Sequence, residues 1–216
     1  MRRSGRVWQV GIGCTLLAAL LTALVAARWQ PLLRLDALVA RDLHASAVAD
    51  PGFTELMRVL TDWVWDPWTM RALAVSACVW LWLRGDRPRA MRVAAVTVAA
   101  AVVSQGMKAA VGRDRPLWPD PVDAAHYAAF PSGHAMTAAA VCGMLLWLLP
   151  PSAHKAWARG AWVLASVSVL GVGFTRVYLG VHWPSDVLAG WLLGVALAAL
   201  AIVWPGRRKR PEAAAR

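Results

Sequence analysis

Acidic side chains are scarce: 12 Asp and Glu stand against 23 Lys and Arg in 216 residues. Those near the charged motifs described below are too scattered for a two-metal carboxylate cage, so neither a metal nor another cofactor is expected. Cysteine is nearly absent as well. Cys14, Cys78 and Cys142 each sit inside an apolar run, without metal-ligand spacing or a local partner for a bridge, and read as inert packing residues. No internal repeat, low-complexity tract or interdomain linker appears, which leaves residues 1–216 as a single domain.

Apolar surface is what the chain has in excess. With 59% hydrophobic residues and a mean hydropathy of +0.48, it is too apolar for an ordinary soluble domain. Apolar runs extend from Val7 to Ala27, Ala72 to Leu83, Val93 to Met107, Ala135 to Leu149, Gly160 to Thr175 and Val187 to Trp204. They predict an all-α polytopic membrane protein, a bundle of six transmembrane helices. Several runs fall short of the roughly 20 residues of a perpendicular span, so their helices must continue into polar residues that face a protein interior or a watery cleft. The second run is the weakest, and Trp63, Trp65 and Trp68 extend it outward past Asp66 and Arg71. The first run is longer than the roughly 7–15 apolar residues of a signal peptide and is read as a span. Of the 14 Trp, Trp8 and Trp29 bracket that run and Trp204 closes the last, as an interfacial aromatic belt would. Between Trp29 and Asp62 the apolar residues recur at helical spacing among Asp36, Arg41, Asp42 and Arg58, predicting short amphipathic helices at the membrane surface.

The net charge of +11 raises the question of nucleic acid. Lys and Arg cluster between apolar runs and at the termini, however, where membrane topology accounts for them, so the bilayer is the expected partner and nucleic acid is not. Segments 1–6, 84–92, 150–159 and 205–216 hold 14 of the 23 basic residues and 2 of the 12 acidic ones. By the positive-inside rule these segments and both termini are cytoplasmic. The charged motifs then lie on the extracytoplasmic side.

Lys108 ends the third run, and Arg115-Pro116 follows seven residues later. Alone, these would be snorkelling side chains that mark a helix exit, with Arg113 and Asp114 as solvated loop charges. Pro131 suits a first helical turn, which would leave the N–H groups of Ser132, Gly133 and His134 directed at whatever lies before the fourth span. Such an end binds anions, Gly133 permits close approach, and Ser132 can donate its hydroxyl. Pro184 likewise suits a first turn, placing His182 just before the sixth span and Asp186 within it. A carboxylate there can reach one imidazole nitrogen and leave the other as a free nucleophile, although an Asp at a helix start is also an ordinary cap. Arg176, at the outer end of the fifth span, can fork onto phosphate oxygens. Together, three cations, two histidines and a carboxylate are what phosphate-ester cleavage in a membrane needs.

In order and spacing, Lys108, six residues, Arg115-Pro116, then Pro131-Ser132-Gly133-His134, then Arg176, five residues, His182, three residues, Asp186 resembles the three-part signature of the type 2 phosphatidic acid phosphatase superfamily. Thr175 departs from the usual Ser but keeps a hydroxyl. The resemblance implies that His182 attacks phosphorus and becomes a phosphohistidine, with Asp186 orienting it. His134 would protonate the leaving oxygen and then activate water, while Lys108, Arg115, Arg176, Ser132 and the Gly133 N–H hold the phosphate. No metal is implied. The expected substrate is a lipid phosphate or diphosphate, undecaprenyl diphosphate first, then phosphatidic acid or phosphatidylglycerol phosphate. A non-hydrolytic anion-binding or anion-transport protein could use the same cations, but needs no oriented nucleophile beside a separate acid. The similar vanadium haloperoxidases are usually soluble.

Overall fold

The computed structural model describes residues 2–204, with side chains from Gly5 onward. The basic segment 205–216, counted above for orientation, and Met1 therefore lie outside the described residues, as do the side chains of residues 2–4. Eight α-helices make up the described chain: α1 (Arg2–Ala26), α2 (Gln30–Ala49), α3 (Pro51–Val59), α4 (Pro67–Leu83), α5 (Arg87–Val111), α6 (Gly133–Leu148), α7 (Lys155–Tyr178) and α8 (Pro184–Val203). A π-helical turn, Leu60–Val64, follows α3. Four helices are long and apolar enough to cross a membrane, namely α1 from Gly5, α5, α7 and α8; α6 is a shorter apolar helix. The architecture is that of a multi-pass membrane protein. The 17-residue α4 reaches back to Pro67, where the Asp66 carboxylate accepts from the Trp68 N–H at 2.7 Å.

Lipid tails are as apolar as leucine, so spans associate by close packing rather than by expelling water. Small residues make this possible between α6 and α8. A Cβ added at Gly190 would lie 2.6 Å from the Ser132 carbonyl oxygen, and one at Gly194 would lie 2.5 Å from that of Met136 and 2.8 Å from Ala139 Cβ. The Gly190-x-x-x-Gly194 stripe thus lets the two backbones touch. At Gly143, on the facing helix, the added atom would sit 3.1 Å from Ala198 Cβ. On the other side of α8, Gly11 of α1 faces Ala199 and Leu200. Between α4, α5, α6 and α8 the core is filled by Met70, Leu81, Val93, Val96, Met136, Val141 and Met144.

The 84–92 segment, expected to be cytoplasmic, meets the C-terminal ends of α6 and α8 at one end of the bundle. There Arg92 donates to the Trp204 carbonyl at 3.0 Å, and Arg89 and Arg92 lie over the Trp147 ring. The C-terminal ends of α5 and α7 and the N-terminal ends of α6 and α8 form the opposite end. Two sequence expectations are corrected there. Pro131 is not in a helical turn: it follows a cis peptide bond, Ser132 occupies the N-cap position and α6 begins at Gly133. And α2 is more than a surface element. Its Asp36, Ala40, His44 and Ala47 form a buried stripe packed toward α7 and α8, while Arg34, Arg41 and Asp42 are exposed.

Candidate active site

Pro184 is the first residue of α8, so the helix start is set where the sequence places it. Asp186, fully buried in the first turn, accepts from the Trp183 N–H at 2.9 Å through Oδ2. The same oxygen lies 3.3 Å from Nδ1 of His182, a ring only 2% exposed. The carboxylate therefore caps its helix and orients the imidazole at once. On the other edge, Nε2 of His182 is 3.2 Å from Nη1 of Arg115. Guanidinium donates and carboxylate accepts, so the partners assign Nδ1–H and a lone pair on Nε2. Burial, and then the charges of Arg115, Arg176 and Lys108, hold this ring well below its usual pKa of 6.5. It is neutral at physiological pH.

The other start, that of α6, is bonded directly to this one. The Ser132 N–H donates to the Asp186 carbonyl at 2.9 Å and is therefore not free for an anion, contrary to the expectation for that group. Ser132 Oγ is buried and has no hydrogen-bond partner among the described residues. Gly133 lies against Ser104, whose hydroxyl would be 3.2 Å from an added Cβ and is itself unpartnered. His134 is within electrostatic range of Arg176, His182, Arg115 and Lys108, and its Nε2 is 3.9 Å from Asp66 Oδ2.

Lys108, on the last turn of α5, is 9% exposed and donates to the Ala128 carbonyl; it does not snorkel. Gly112, in the left-handed region at φ 58°, ends α5 and turns the chain back over the site. Arg115 then donates to the carbonyls of Tyr127 at 2.9 Å, His126 at 3.1 Å and Val181. Burial, followed by the Arg176 charge, pushes its pKa down to about 10, so it remains a cation at neutral pH. Arg176, 4% exposed, sits 3.6 Å from Asp123 and 3.4 Å from the Thr61 hydroxyl, with Nε unpartnered. Among the described residues no three His, Cys, Asp or Glu side chains converge as a metal ion would require.

All eight residues named from the sequence thus gather at one end of the bundle: His182, Asp186, His134, Lys108, Arg115, Ser132, Gly133 and Arg176. Arg113, expected to be a solvated loop charge, is corrected. Its side chain is 11% exposed and bridges Asp186 at 2.6 Å and Asp36 at 2.7 Å. Asp36 was equally hidden, although its helical spacing with Ala40, His44 and Ala47 marks it as inward-facing. Asp114 is exposed as expected, and its carbonyl accepts from Trp183 Nε1 at 2.9 Å.

Several known proteins resemble the chain. A protein of Sulfolobus acidocaldarius named undecaprenyl-diphosphatase is 37% identical over 86 residues, covering 40% of this chain and 36% of that protein. Phosphatidylglycerophosphatase B of Bacillus subtilis is 42% identical over 73 residues, covering 32% of this chain and 34% of that protein. The chain spans about a third of the length of these two relatives. The crystal structure of a transmembrane PAP2-type phosphatidylglycerolphosphate phosphatase from B. subtilis has the same fold, with a TM-score of 0.76 at 24% identity over 88% of this chain and 93% of that one. The sequence profile of the PAP2 superfamily matches residues 89–210, more than half of the chain and every motif above, and the chain belongs to that superfamily.

Proposed function

We propose that this chain is a single membrane-embedded domain that hydrolyses the terminal phosphate of a lipid phosphate or diphosphate through a phosphohistidine. The observation that carries the reading is the His182 ring, held by Asp186 on one nitrogen and presenting the other beside Arg115 inside a buried cationic pocket. Nε2 of His182 attacks phosphorus, the bond to the leaving oxygen breaks, and His134 gives that oxygen a proton. Water then attacks the phosphohistidine, loses its proton to His134, and frees inorganic phosphate and neutral His182. Lys108, Arg115, Arg176, the Ser132 hydroxyl and the Gly133 N–H offset the charge that builds on the equatorial oxygens. The phosphate displaces the loop carbonyls and Asp123 that these cations hold in its absence. No step uses a metal.

A site at the end of a six-span bundle receives a headgroup while the tails stay in the bilayer. Undecaprenyl diphosphate is the favoured substrate, followed by phosphatidic acid and phosphatidylglycerol phosphate; the names of the S. acidocaldarius and B. subtilis relatives carry the first and the last of these. The charge bias puts both termini in the cytoplasm and the site on the extracytoplasmic face. The test is phosphate release by purified protein in detergent with a chelator, from these three lipids in parallel. Turnover without added metal, inhibition by vanadate and an acid-labile phosphoenzyme are expected, and His182→Ala should abolish turnover and phosphoenzyme together. If His182→Ala hydrolyses lipid at the normal rate, the nucleophile is another group; anion binding without turnover in the unaltered protein would favour a non-hydrolytic role.

A further inference from the structure

We propose that Asp36 and Arg113 are positioning residues for the nucleophile: Asp36, on α2, fixes Arg113 and the first turn of α8, and Arg113 fixes the Asp186 carboxylate. This rests on His182 being the nucleophile. Nη1 of Arg113 donates to Asp186 Oδ1 at 2.6 Å and to Ser185 Oγ at 2.7 Å, while Nη2 donates to Asp36 Oδ2 at 2.7 Å. Asp36 Oδ1 accepts from the Ser185 N–H at 2.9 Å and Oδ2 from its hydroxyl. Both carboxylates are buried, at 1% and 0% exposure.

The arrangement has a physical logic that phosphate binding does not supply. A buried carboxylate needs a cation and fixed donors to stay charged, and a planar guanidinium can serve two carboxylates along set directions where an ammonium cannot. Arg113 has both terminal nitrogens committed to carboxylates, unlike Arg115 and Lys108, whose partners are replaceable loop carbonyls. The Ser185 N–H is an orphan donor of the α8 start. It is satisfied from another helix, so α2, tied to the same side chain that grips Arg113, sets the angle at which Asp186 meets His182. Neither residue of the pair is among the groups assigned above to the phosphate. Its loss should therefore act on the rate of attack more than on binding.

The test compares Asp36→Asn, Arg113→Lys, Arg113→Gln and the double variant Asp36→Asn/Arg113→Gln in the purified full chain, using the lipid turned over best. Expected are a kcat lower by about 10- to 100-fold and a KM within about threefold of the unaltered protein. Phosphoenzyme formation in a single turnover should slow by the same factor. The double variant should lose less than the product of the two single losses, because Asp36 and Arg113 share one network around Ser185 and Asp186. Arg113→Lys, which keeps the charge without the fork, should recover only part of the loss, and it carries the test if Asp36→Asn does not fold. An unchanged kcat in a folded variant, fully additive losses in the double, or a raised KM at unchanged kcat would each overturn the proposal. His182→Ala assayed alongside separates the two readings: turnover retained there defeats the nucleophile assignment, whereas a dead His182→Ala with a fully active Asp36→Asn defeats only the positioning role.

Discussion

Replacing Asp186 with Asn keeps the side chain's shape and removes one negative charge from a fully buried position. Two placements of the amide are open to it. With the NH2 at the Oδ2 position, it confronts the Trp183 N–H that now donates there at 2.9 Å and offers a donor to His182 Nδ1. The ring must then carry its proton on Nε2, which removes the lone pair proposed to attack. With the NH2 at the Oδ1 position it faces the Arg113 guanidinium, which is 2.6 Å from that oxygen in the unaltered protein. The buried cation opposes this second placement most strongly, so the wrong tautomer should dominate. Such a loss is worth about 10⁴ in kcat where a carboxylate orients a catalytic histidine. At about 1.36 kcal/mol per tenfold this is roughly 5.4 kcal/mol of transition-state stabilisation. A charge-assisted hydrogen bond alone accounts for about 1.5–3 kcal/mol, so the tautomer supplies the rest. The assay is initial phosphate release from detergent-purified protein, with phosphoenzyme trapping and thermal unfolding on the same samples. An Asn variant that folds and keeps more than about a tenth of normal turnover would refute the reasoning, because no orienting role of this size would remain.

Packing and pH give two further expectations. Gly194→Val forces α6 and α8 apart where an added Cβ already lies 2.8 Å from Ala139 Cβ, and overpacking of this kind costs about 1–3 kcal/mol. Its melting temperature and activity in detergent should both fall, whereas Gly13→Ala, with nothing within 4 Å of the new atom and a better helix former in place, should lower neither. Between the depressed folded pKa of His182 and its ordinary 6.5, the unfolded chain binds more protons than the folded one, so stability rises with pH in that window. Thermal unfolding across the window should show stability declining as pH drops below about 6.5, and His182→Gln should remove part of the decline.

Much of this was legible because certain residues dictate local geometry whatever surrounds them. Pro184 starts α8, and from that alone the reach of Asp186 to His182 follows. Pro131 misled for a related reason: its ring suits a first turn, but the chain continues one residue further before the helix begins, and the Ser132 N–H finds a long-range carbonyl that no spacing rule contains. Lys108 could be read as a snorkelling exit residue or as a site cation, and the first reading fails only once the returning loop is folded over it. Arg113 was missed because a charge two residues from a motif arginine looks solvated until Asp36, 77 positions earlier, is folded against it. The Gly190-x-x-x-Gly194 stripe was present in the apolar run; its meaning depends on which helix it faces.

Lys108 and Arg115 hold the returning loop by the main-chain oxygens of His126, Tyr127 and Ala128, not by its side chains. Any amino acid provides such oxygens, so these three side chains can change without loosening that grip. Leu117 and Tyr127 are 92% and 87% exposed, whereas Trp118, stacked on His44 and donating to the Gly180 carbonyl, and Asp123, beside Arg176, anchor the loop by their side groups. Under the proposed reaction, variation at exposed positions such as Leu117 and Tyr127 should retune which lipids are accepted while the groups beneath keep their places, and libraries for altered selectivity belong there rather than among the helices.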